Sequence, residues 1–448
     1  MKKKYTALLT TRMIMLGFLI GIAAGTLLLC LPFSTRKGVD IDFIDALFVS
    51  VSSICVTGLS TINIGQTFSM FGQVVLLILI QIGGLGVVTF TTLILIATGK
   101  RLNLDDRILL QNAYNSESLT GLLKLTIRIV KITLLLEGIG AILYATVFLP
   151  QYHFMGIWYS IFHAVSAFCN AGIDLLGGNS FCMYRDNPMI NMTTMALIVV
   201  SGLGFPVYWE LARYFGCLRK RNRVHKLNLQ AKIVLSATAF FILGGALVTM
   251  LFEWNNPDTL GTLPTSGKVM SSFFQSITLR TAGFATIDQS FFRESSCTLY
   301  LVLMLIGGSP VGTAGGIKTV TVVVLFASMI ANIKGNKSVT LFRQKISDDY
   351  VRRCTAIATF SISVLFLLTT CLFFVQECDF LDAFYEMTSA IGTVGLSRGL
   401  TGQLTQAGKI ILCIAMYLGR IGPITLAFAF HYKNNSEIDY AENKIIIG

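Results

Sequence analysis

Four short segments of the chain end in nearly the same way, with a glycine that follows small or polar residues. They read CVTGLS, CNAGID, RTAGFA and GTVGLS, and their glycines are 114, 111 and 112 residues apart. An aromatic residue stands ten positions before each glycine. Glycine adopts positive φ at little cost and leaves no side chain in a narrow passage, so neighbouring carbonyl oxygens can replace the water shell of an ion. The spacing therefore predicts one ion-binding ring built from four copies of a loop.

The candidate ion ligands are the residues around these glycines. One such glycine alone is more typical of a helix cap in a buried turn, whereas four in register at one period favour a shared function. The candidates are Val56, Thr57, Gly58 and Leu59; Asn170, Ala171, Gly172 and Ile173; Thr281, Ala282, Gly283 and Phe284; and Thr393, Val394, Gly395 and Leu396.

The composition is that of a membrane protein. Of the 448 residues, 54% are hydrophobic and 13% are charged, whereas soluble domains carry about 25% charged residues. The net charge of +12 comes from Lys and Arg that are concentrated in alternate loops. By the positive-inside rule, those loops and both termini are expected in the cytoplasm. Topology thus accounts for the basic charge, and no nucleic-acid partner is expected.

The hydrophobic pattern predicts two kinds of helix. Long apolar runs fall near 13–32, 72–98, 124–149, 190–212, 231–252, 297–333, 354–375 and 408–431, and shorter ones near 42–56, 157–170, 269–280 and 380–393. The short runs are too brief to cross a bilayer core of about 30 Å, so we expect them to be re-entrant. The predicted fold is an all-α polytopic membrane protein, with eight spans plus four re-entrant pore helices.

These helices form four membrane–pore-loop–membrane repeats around a pseudo-fourfold pore. The predicted repeats cover 1–110, 111–226, 227–345 and 346–432, and a cytoplasmic tail covers 433–448. The pore helices would aim their partly negative C-terminal ends at the axis, which is a favourable field for a cation.

One predicted span must be broken. The run 297–333 would be about 55 Å long as a single helix, at about 1.5 Å per residue. Its middle reads GGSPVGTAGGIKTVT, in which Pro310 and five glycines weaken a helix. The segment 307–317 is therefore predicted to be irregular and to line the cavity on the cytoplasmic side of the glycine loops. A simple proline kink is the alternative.

With its four glycine loops and its interrupted span, the chain resembles the Trk/Ktr/HKT superfamily of potassium and sodium transporters. The resemblance covers essentially the whole chain. It is strongest to the Ktr-type membrane subunit, because the first span begins by residue 13. The family's selectivity glycines fall on Gly58, Gly172, Gly283 and Gly395. Glycine at all four favours potassium, since a serine in the first loop accompanies sodium preference in some relatives.

The resemblance also implies a gate and partners. The gate candidates are Gly312, Thr313, Ala314, Gly315, Gly316, Lys318 and Arg420. For Arg420 the alternative is a structural salt bridge with Glu137 or Glu386, and for Lys318 it is snorkelling to the membrane surface. The family implies a homodimer in the lipid bilayer, with a cytosolic ring of nucleotide-binding regulatory subunits. It implies no cofactor in this chain besides transported K⁺, with Na⁺ as an optional activator.

Other functions remain as alternatives. A sodium-conducting or sodium-stimulated relative would have the same repeats. A proton-coupled secondary transporter would need carboxylates within its spans, and Glu137 is the clear candidate. An enzyme is disfavoured because H-E-x-x-H and G-x-S-x-G are both absent. Asp174, Asp288, Arg280 and Arg398 flank the pore loops, either as solvated loop charges or as charges that set the ion concentration at the outer mouth. The tail KIIIG at 444–448 is expected to pack at the dimer interface or against the regulatory ring.

Overall fold

The computed structural model describes residues 2–86, 89, 92, 122–177, 180–219 and 226–422. Repeat 1 contains α1 (Lys2–Leu29), α2 (Phe43–Cys55), α3 (Ile64–Thr67) and α4 (Met70–Leu85). Repeat 2 contains α5 (Leu122–Tyr152), α6 (Phe154–Cys169), α7 (Pro188–Gly202) and α8 (Phe205–Arg219). Repeat 3 contains α9 (Leu229–Glu253), α10 (Thr265–Thr278), α11 (Glu294–Leu305) and α12 (Thr319–Ile333). Repeat 4 contains α13 (Asp348–Val375), α14 (Phe380–Gly392) and α15 (Gln406–Ile421).

One small β-hairpin follows α12. Its strands are β1 (Thr340–Leu341) and β2 (Gln344–Lys345), which pair antiparallel. The predicted tail 433–448, including KIIIG, and the loop between the first two repeats lie outside the described residues.

Among the described residues, four helices are each long and apolar enough to cross a bilayer by themselves, and each is the first span of a repeat. They are Arg12–Leu29 of α1, Lys124–Tyr152 of α5, all of α9 and all of α13. Their exposed faces carry large apolar side chains, such as Ile20, Leu135, Leu251 and Phe374. In hydrocarbon this is the favourable surface, so these helices form the lipid-facing shell.

The four pore helices lie where the apolar pattern predicts them. They are α2, α6, α10 and α14, and each has 13–16 residues. Their C-terminal halves are buried inside the bundle, and the buried positions include many small polar residues, such as Ser52, Ser166 and Ser389. Because these helices are too short to span and their ends are enclosed by protein, they are re-entrant segments.

The second spans differ from the prediction. The run 190–212 was expected to be one helix, and that expectation is wrong: α7 and α8 are separated at Leu203–Gly204 and bent by 96°. The run 297–333 is broken between Leu305 and Thr319, as its glycines indicate. In the runs 72–98 and 408–431, α4 ends at Leu85 and α15 ends at Ile421.

Glycine explains these breaks. Gly86, Gly204 and Gly422 have φ of +86°, +83° and +83°. A left-handed φ at low cost is available to glycine and stops the helical hydrogen-bond ladder there. Each lies in the glycine cluster that follows the pore loop in the sequence, so this cluster predicts a break in every repeat rather than in the third alone.

Candidate ion pathway

Each pore loop has positive φ at the same two positions, the key glycine and the residue two places before it. The residue two places before the key glycine has positive φ in all four repeats: 56° at Val56, 60° at Asn170, 68° at Thr281 and 50° at Thr393. Positive φ is uncommon outside glycine and is strained for β-branched residues such as Val and Thr. Strain repeated at four equivalent positions indicates a functional constraint on the loops.

The four key glycines meet at one place, in cyclic order. Each lies against the carbonyl oxygen that precedes the glycine of the next repeat, so a side chain at any of them would collide with its neighbour. A Cβ atom would lie 2.6 Å from Ala171 O if added to Gly58, 2.7 Å from Ala282 O if added to Gly172, 2.6 Å from Val394 O if added to Gly283, and in contact with Thr57 O if added to Gly395. Main-chain carbonyl groups and glycine Cα atoms therefore line a closed ring in the order 1–2–3–4.

Hydroxyl groups of the pore helices hold the loops. The Gly58 N–H donates to Ser52 Oγ at 3.1 Å, and the Gly395 N–H donates to Ser389 Oγ at 3.0 Å. In the other two repeats the hydroxyl donates instead, from Ser166 to Ile173 O and from Thr278 to Phe284 O, both at 2.6 Å.

This second pattern explains an irregularity of the sequence. Repeat 3 has Ile277 where the other repeats have serine. Thr278, one position later, supplies the hydroxyl in its place. Sequence spacing alone does not reveal this substitution.

Three threonine hydroxyls in the loops have no protein partner. Thr57, Thr281 and Thr393 are fully buried, and the Oγ1 atom of each accepts or donates no hydrogen bond within the described part of the chain. Buried hydroxyls normally have a partner. Together with the carbonyl oxygens, they are oxygen ligands suited to a hard cation such as K⁺ or Na⁺.

A cavity of about 370 Å³, here named the outer cavity, opens on one side of the ring. All four glycines line it, as do Asp174 and Asp288. The Leu176 N–H donates to the carboxyl group of Asp174 at 3.0 Å. The two carboxyl groups make this side of the ring attractive to cations.

The two arginines expected near the mouth have different surroundings. Arg398 pairs with Asp382, Nε to Oδ1 at 2.6 Å. Arg280 is 8% exposed and lies beside Gly202 and Gly308, not in the outer cavity. The expectation of an outer-mouth role for Arg280 is therefore wrong: its side chain extends toward the breaks in the second spans.

The broken segment of repeat 3, residues 306–318, is an ordered loop that packs into the break of repeat 2. The Ser309 N–H donates to Gly202 O at 2.9 Å, and the Phe205 N–H donates to Val311 O at 3.1 Å. A parallel bridge joins Ile306 to Ile317 and closes the loop at its base. We call 306–318 the intramembrane loop. A proline kink alone would not produce this folded excursion.

The intramembrane loop contacts the pore loops directly. Asn170 Nδ2 donates to Thr313 Oγ1 at 3.1 Å, and the Ser201 hydroxyl donates to Asn170 Oδ1 at 3.2 Å. Gly315 lies so close to Thr393 that an added Cβ would overlap the Thr393 hydroxyl. The loop therefore lies under the glycine ring, on the side opposite the outer cavity.

Arg420 joins this loop to repeat 1. Its Nη1 donates to Thr313 O at 2.6 Å, and its Nη2 donates to Gly83 O. Neither proposed acidic partner contacts it: Glu137 accepts from Gln81, and Glu386 accepts from Ser397 and Thr401. The guanidinium group thus binds backbone carbonyls of two repeats, and no ion pair to it occurs in the described ranges.

Lys318 and the two outer cysteines also differ from simple expectation. Lys318 Nζ donates to Ala314 O at 2.5 Å, so its side chain folds back on the intramembrane loop and does not snorkel. Cys182 and Cys297 are both free thiols. Across the ranges that the structure covers, no group of three or more His, Cys, Asp and Glu side chains could hold a metal ion.

The four-repeat bundle of spans and re-entrant helices defines a membrane transport protein. A family model described as TrkH, cation transport protein, matches residues 14–438, and the chain belongs to this family.

Its relatives include the Ktr system potassium uptake protein B of Bacillus subtilis, which is 36% identical over 99% of this chain and 98% of the relative. The potassium/sodium uptake protein NtpJ of Enterococcus hirae is 37% identical over 100% of this chain and 99% of the relative. The crystal structure of the potassium transporter TrkH from Vibrio parahaemolyticus has the same fold, with a TM-score of 0.76 and 19% identity. The structural match covers 94% of this chain and 84% of the TrkH chain. This protein is thus a Ktr/Trk potassium uptake transporter by family.

Proposed function

We propose that this chain is the ion-conducting subunit of a potassium uptake system, and that K⁺ passes through the ring formed by Gly58, Gly172, Gly283 and Gly395. The observation that carries the proposal is the cyclic contact of each glycine with the next repeat's carbonyl group. Four backbone segments enclose a passage in which no side chain fits, because a Cβ at each glycine would collide with the next repeat's carbonyl oxygen.

The positions of the neighbouring residues support this assignment. The proposed filter comprises Val56–Leu59, Asn170–Ile173, Thr281–Phe284 and Thr393–Leu396. The unpartnered hydroxyls of Thr57, Thr281 and Thr393 supply additional oxygen ligands. The four loops differ in sequence, so the ion sites are less uniform than in a pore of four identical chains.

The intramembrane loop is proposed to be the gate. The gate residues are Gly312, Thr313, Ala314, Gly315 and Gly316, and the Lys318 and Arg420 side chains donate to the carbonyl groups of Ala314 and Thr313. A shift of this loop, with the loss of those two side-chain hydrogen bonds, would open the cytoplasmic side.

Inward flow needs no chemical fuel in this chain. A membrane potential that is negative inside supplies about 2.3 kcal/mol per charge per 100 mV, which favours K⁺ entry. The chain is proposed to form a homodimer in the plasma membrane, with one pore per chain. A cytosolic ring of nucleotide-binding subunits is proposed to regulate it. The name of the Bacillus relative, a Ktr system protein, supports a multi-subunit system.

A sodium-conducting or sodium-stimulated transporter is the second candidate. It is supported by the Enterococcus relative, which is named a potassium/sodium uptake protein. Glycine at the first ring position, Gly58, favours potassium.

The test is ion uptake by transport-deficient cells that express the chain. Gly58→Ser is expected to reduce K⁺ uptake and to raise the Na⁺-to-K⁺ uptake ratio, because its side chain enters the ring and its φ of +103° is unfavourable for serine. Gly244→Ser is the matched control, since nothing lies within 4 Å of a Cβ there. Wild-type uptake and ion ratio in Gly58→Ser would overturn the ring assignment.

A further inference from the structure

Two of the four pore helices carry a polar, fully buried side chain at the position nine residues before the key glycine. These are His163 in α6 and Glu386 in α14, and both have 0% exposure. The same position holds Val49 in α2 and Phe274 in α10, which are also fully buried. Because the ring runs in the order 1–2–3–4, the two polar side chains stand across the ring from each other.

Glu386 is bonded to the loop that leaves the ring in repeat 4. The Ser397 hydroxyl donates to Oε1, and the Thr401 hydroxyl donates to Oε2 at 2.7 Å. The backbone N–H groups of Arg398 and Thr401 also lie near this carboxyl group. Ser397 and Thr401 both line the outer cavity, so a single buried carboxyl group fixes this side of the cavity.

His163 makes the corresponding contact in repeat 2. Its Nδ1 donates to Tyr159 O at 2.6 Å, which leaves Nε2 as an acceptor, and the Leu175 N–H donates to Nε2 at 3.4 Å. Leu175 and Arg398 both stand three residues after their key glycine. The two side chains therefore face the backbone amide at the same position of opposite repeats. The Glu386 carboxyl group accepts from more groups of its loop than His163 does.

Resting on the function proposed above, we propose that Glu386 is a positioning residue of the ion ring. By fixing Ser397, Arg398 and Thr401, it sets the height and direction of the Gly395 and Leu396 carbonyl groups. His163 does the same more weakly on the opposite side. The filter is thus held by a twofold pair of polar anchors within a fourfold ring, and ion selectivity depends on the repeat 4 anchor more than on any other.

Glu253 offers a matched control. It is also fully buried and also accepts two hydroxyl groups, from Thr259 at 2.8 Å and from Ser296. The Arg293 N–H donates to it at 3.1 Å. None of these partners lines the outer cavity. Glu253→Gln therefore tests the loss of an equivalent buried carboxyl group away from the ring.

The experiment measures K⁺ and Na⁺ uptake into liposomes that contain purified Glu386→Gln, Glu253→Gln, Gly58→Ser or unchanged protein. In Glu386→Gln an NH₂ group replaces one carboxylate oxygen. The NH₂ group cannot accept from the donors of the repeat 4 loop, so the variant releases the loop. We expect its Na⁺-to-K⁺ uptake ratio to rise about tenfold, the change expected from losing one hydrogen bond to a charged group. Glu253→Gln should keep the original ratio even where its thermal stability falls.

Suppose that Glu386→Gln folds and keeps the original Na⁺-to-K⁺ uptake ratio and K⁺ KM, while Gly58→Ser changes the ratio. That result would overturn the positioning role of Glu386 and leave the ring assignment standing. An unchanged Gly58→Ser would overturn the ring itself. Should Glu386→Gln not fold, Thr401→Val removes one donor at nearly constant volume. A raised ratio in that variant supports the anchor, and an unchanged ratio overturns it.

Discussion

Arg420 and Thr313 are 107 residues apart in the sequence and are joined in the structure, Nη1 to carbonyl oxygen, at 2.6 Å. The same guanidinium group also reaches Gly83 O. One side chain of repeat 4 thereby links the intramembrane loop of repeat 3 to the glycine cluster of repeat 1. Because arginine is planar and always charged, it can hold two carbonyl groups at fixed positions.

The first prediction concerns this link. Arg420→Gln should weaken the hold on the intramembrane loop and raise the basal K⁺ flux, by about tenfold for the loss of one charge-assisted hydrogen bond. Stopped-flow flux in liposomes measures it. Arg36→Gln is the control, since Arg36 donates to Gly65 O and Phe68 O at the opposite end of repeat 1. A lower or unchanged flux in Arg420→Gln would contradict the gate assignment.

The second prediction concerns the contact between the loop and the ring. Gly315→Ala adds a Cβ that overlaps the Thr393 side chain. Overpacking of this kind costs about 1–3 kcal/mol, so we expect K⁺ uptake to fall while the protein remains folded. Gly216→Ala in α8 meets nothing within 4 Å and should retain full uptake. Equal uptake by the two variants would show that the loop does not press on the ring.

The third prediction separates ion binding from stability. Thr393→Val removes a hydroxyl that has no partner in the described structure, so it should raise the K⁺ KM and leave the melting temperature nearly unchanged. Thr249→Val removes a hydroxyl that is bonded to Gly245 O at 2.9 Å and to the Tyr300 hydroxyl at 3.0 Å. It should cost about 1 kcal/mol of stability and leave the KM unchanged. Thermal unfolding and uptake kinetics measure both, and the reversed pattern would contradict an ion-binding role for Thr393.

The fourth prediction concerns the packing of α15 on the first pore helix. Lys409 Nζ lies 2.5 Å from Asp45 Oδ1, and both side chains are mostly buried. Lys409→Met should lower thermal stability because it leaves the carboxylate with one donor, the Thr61 hydroxyl. The double variant Asp45→Asn with Lys409→Met should recover part of the loss. Additive losses in the double variant would show that the pair does not couple the two helices.

Much of the fold follows from patterns in the sequence. Apolar run length separates spans from pore helices, since the four first spans and the four pore helices occur where these runs predict them. The period of about 112 residues identifies the four glycines, because each copy must supply the same backbone geometry. Pro310 and the surrounding glycines predict the break in repeat 3.

Other features depended on contacts between distant segments. Hydrophobicity assigns the run 190–212 to one span and does not report a backbone turn, so it misses the bend at Gly204, although the SGLG cluster lies there. Arg280 is misplaced for a related reason: its neighbours in sequence belong to a pore loop, whereas in space it lines a small cavity together with Gly202 and Gly308.

The sequence by itself determined the membrane class, the four repeats and the glycines of the ring, because these depend on composition and on regular spacing along one chain. Only the tertiary structure decided the cyclic order of the glycines and the partners of Arg420 and Glu386. Each of these depends on which segments meet across the bundle. Side chains of equal polarity, such as Glu253 and Glu386, look alike in the sequence, and their partners in space distinguish them.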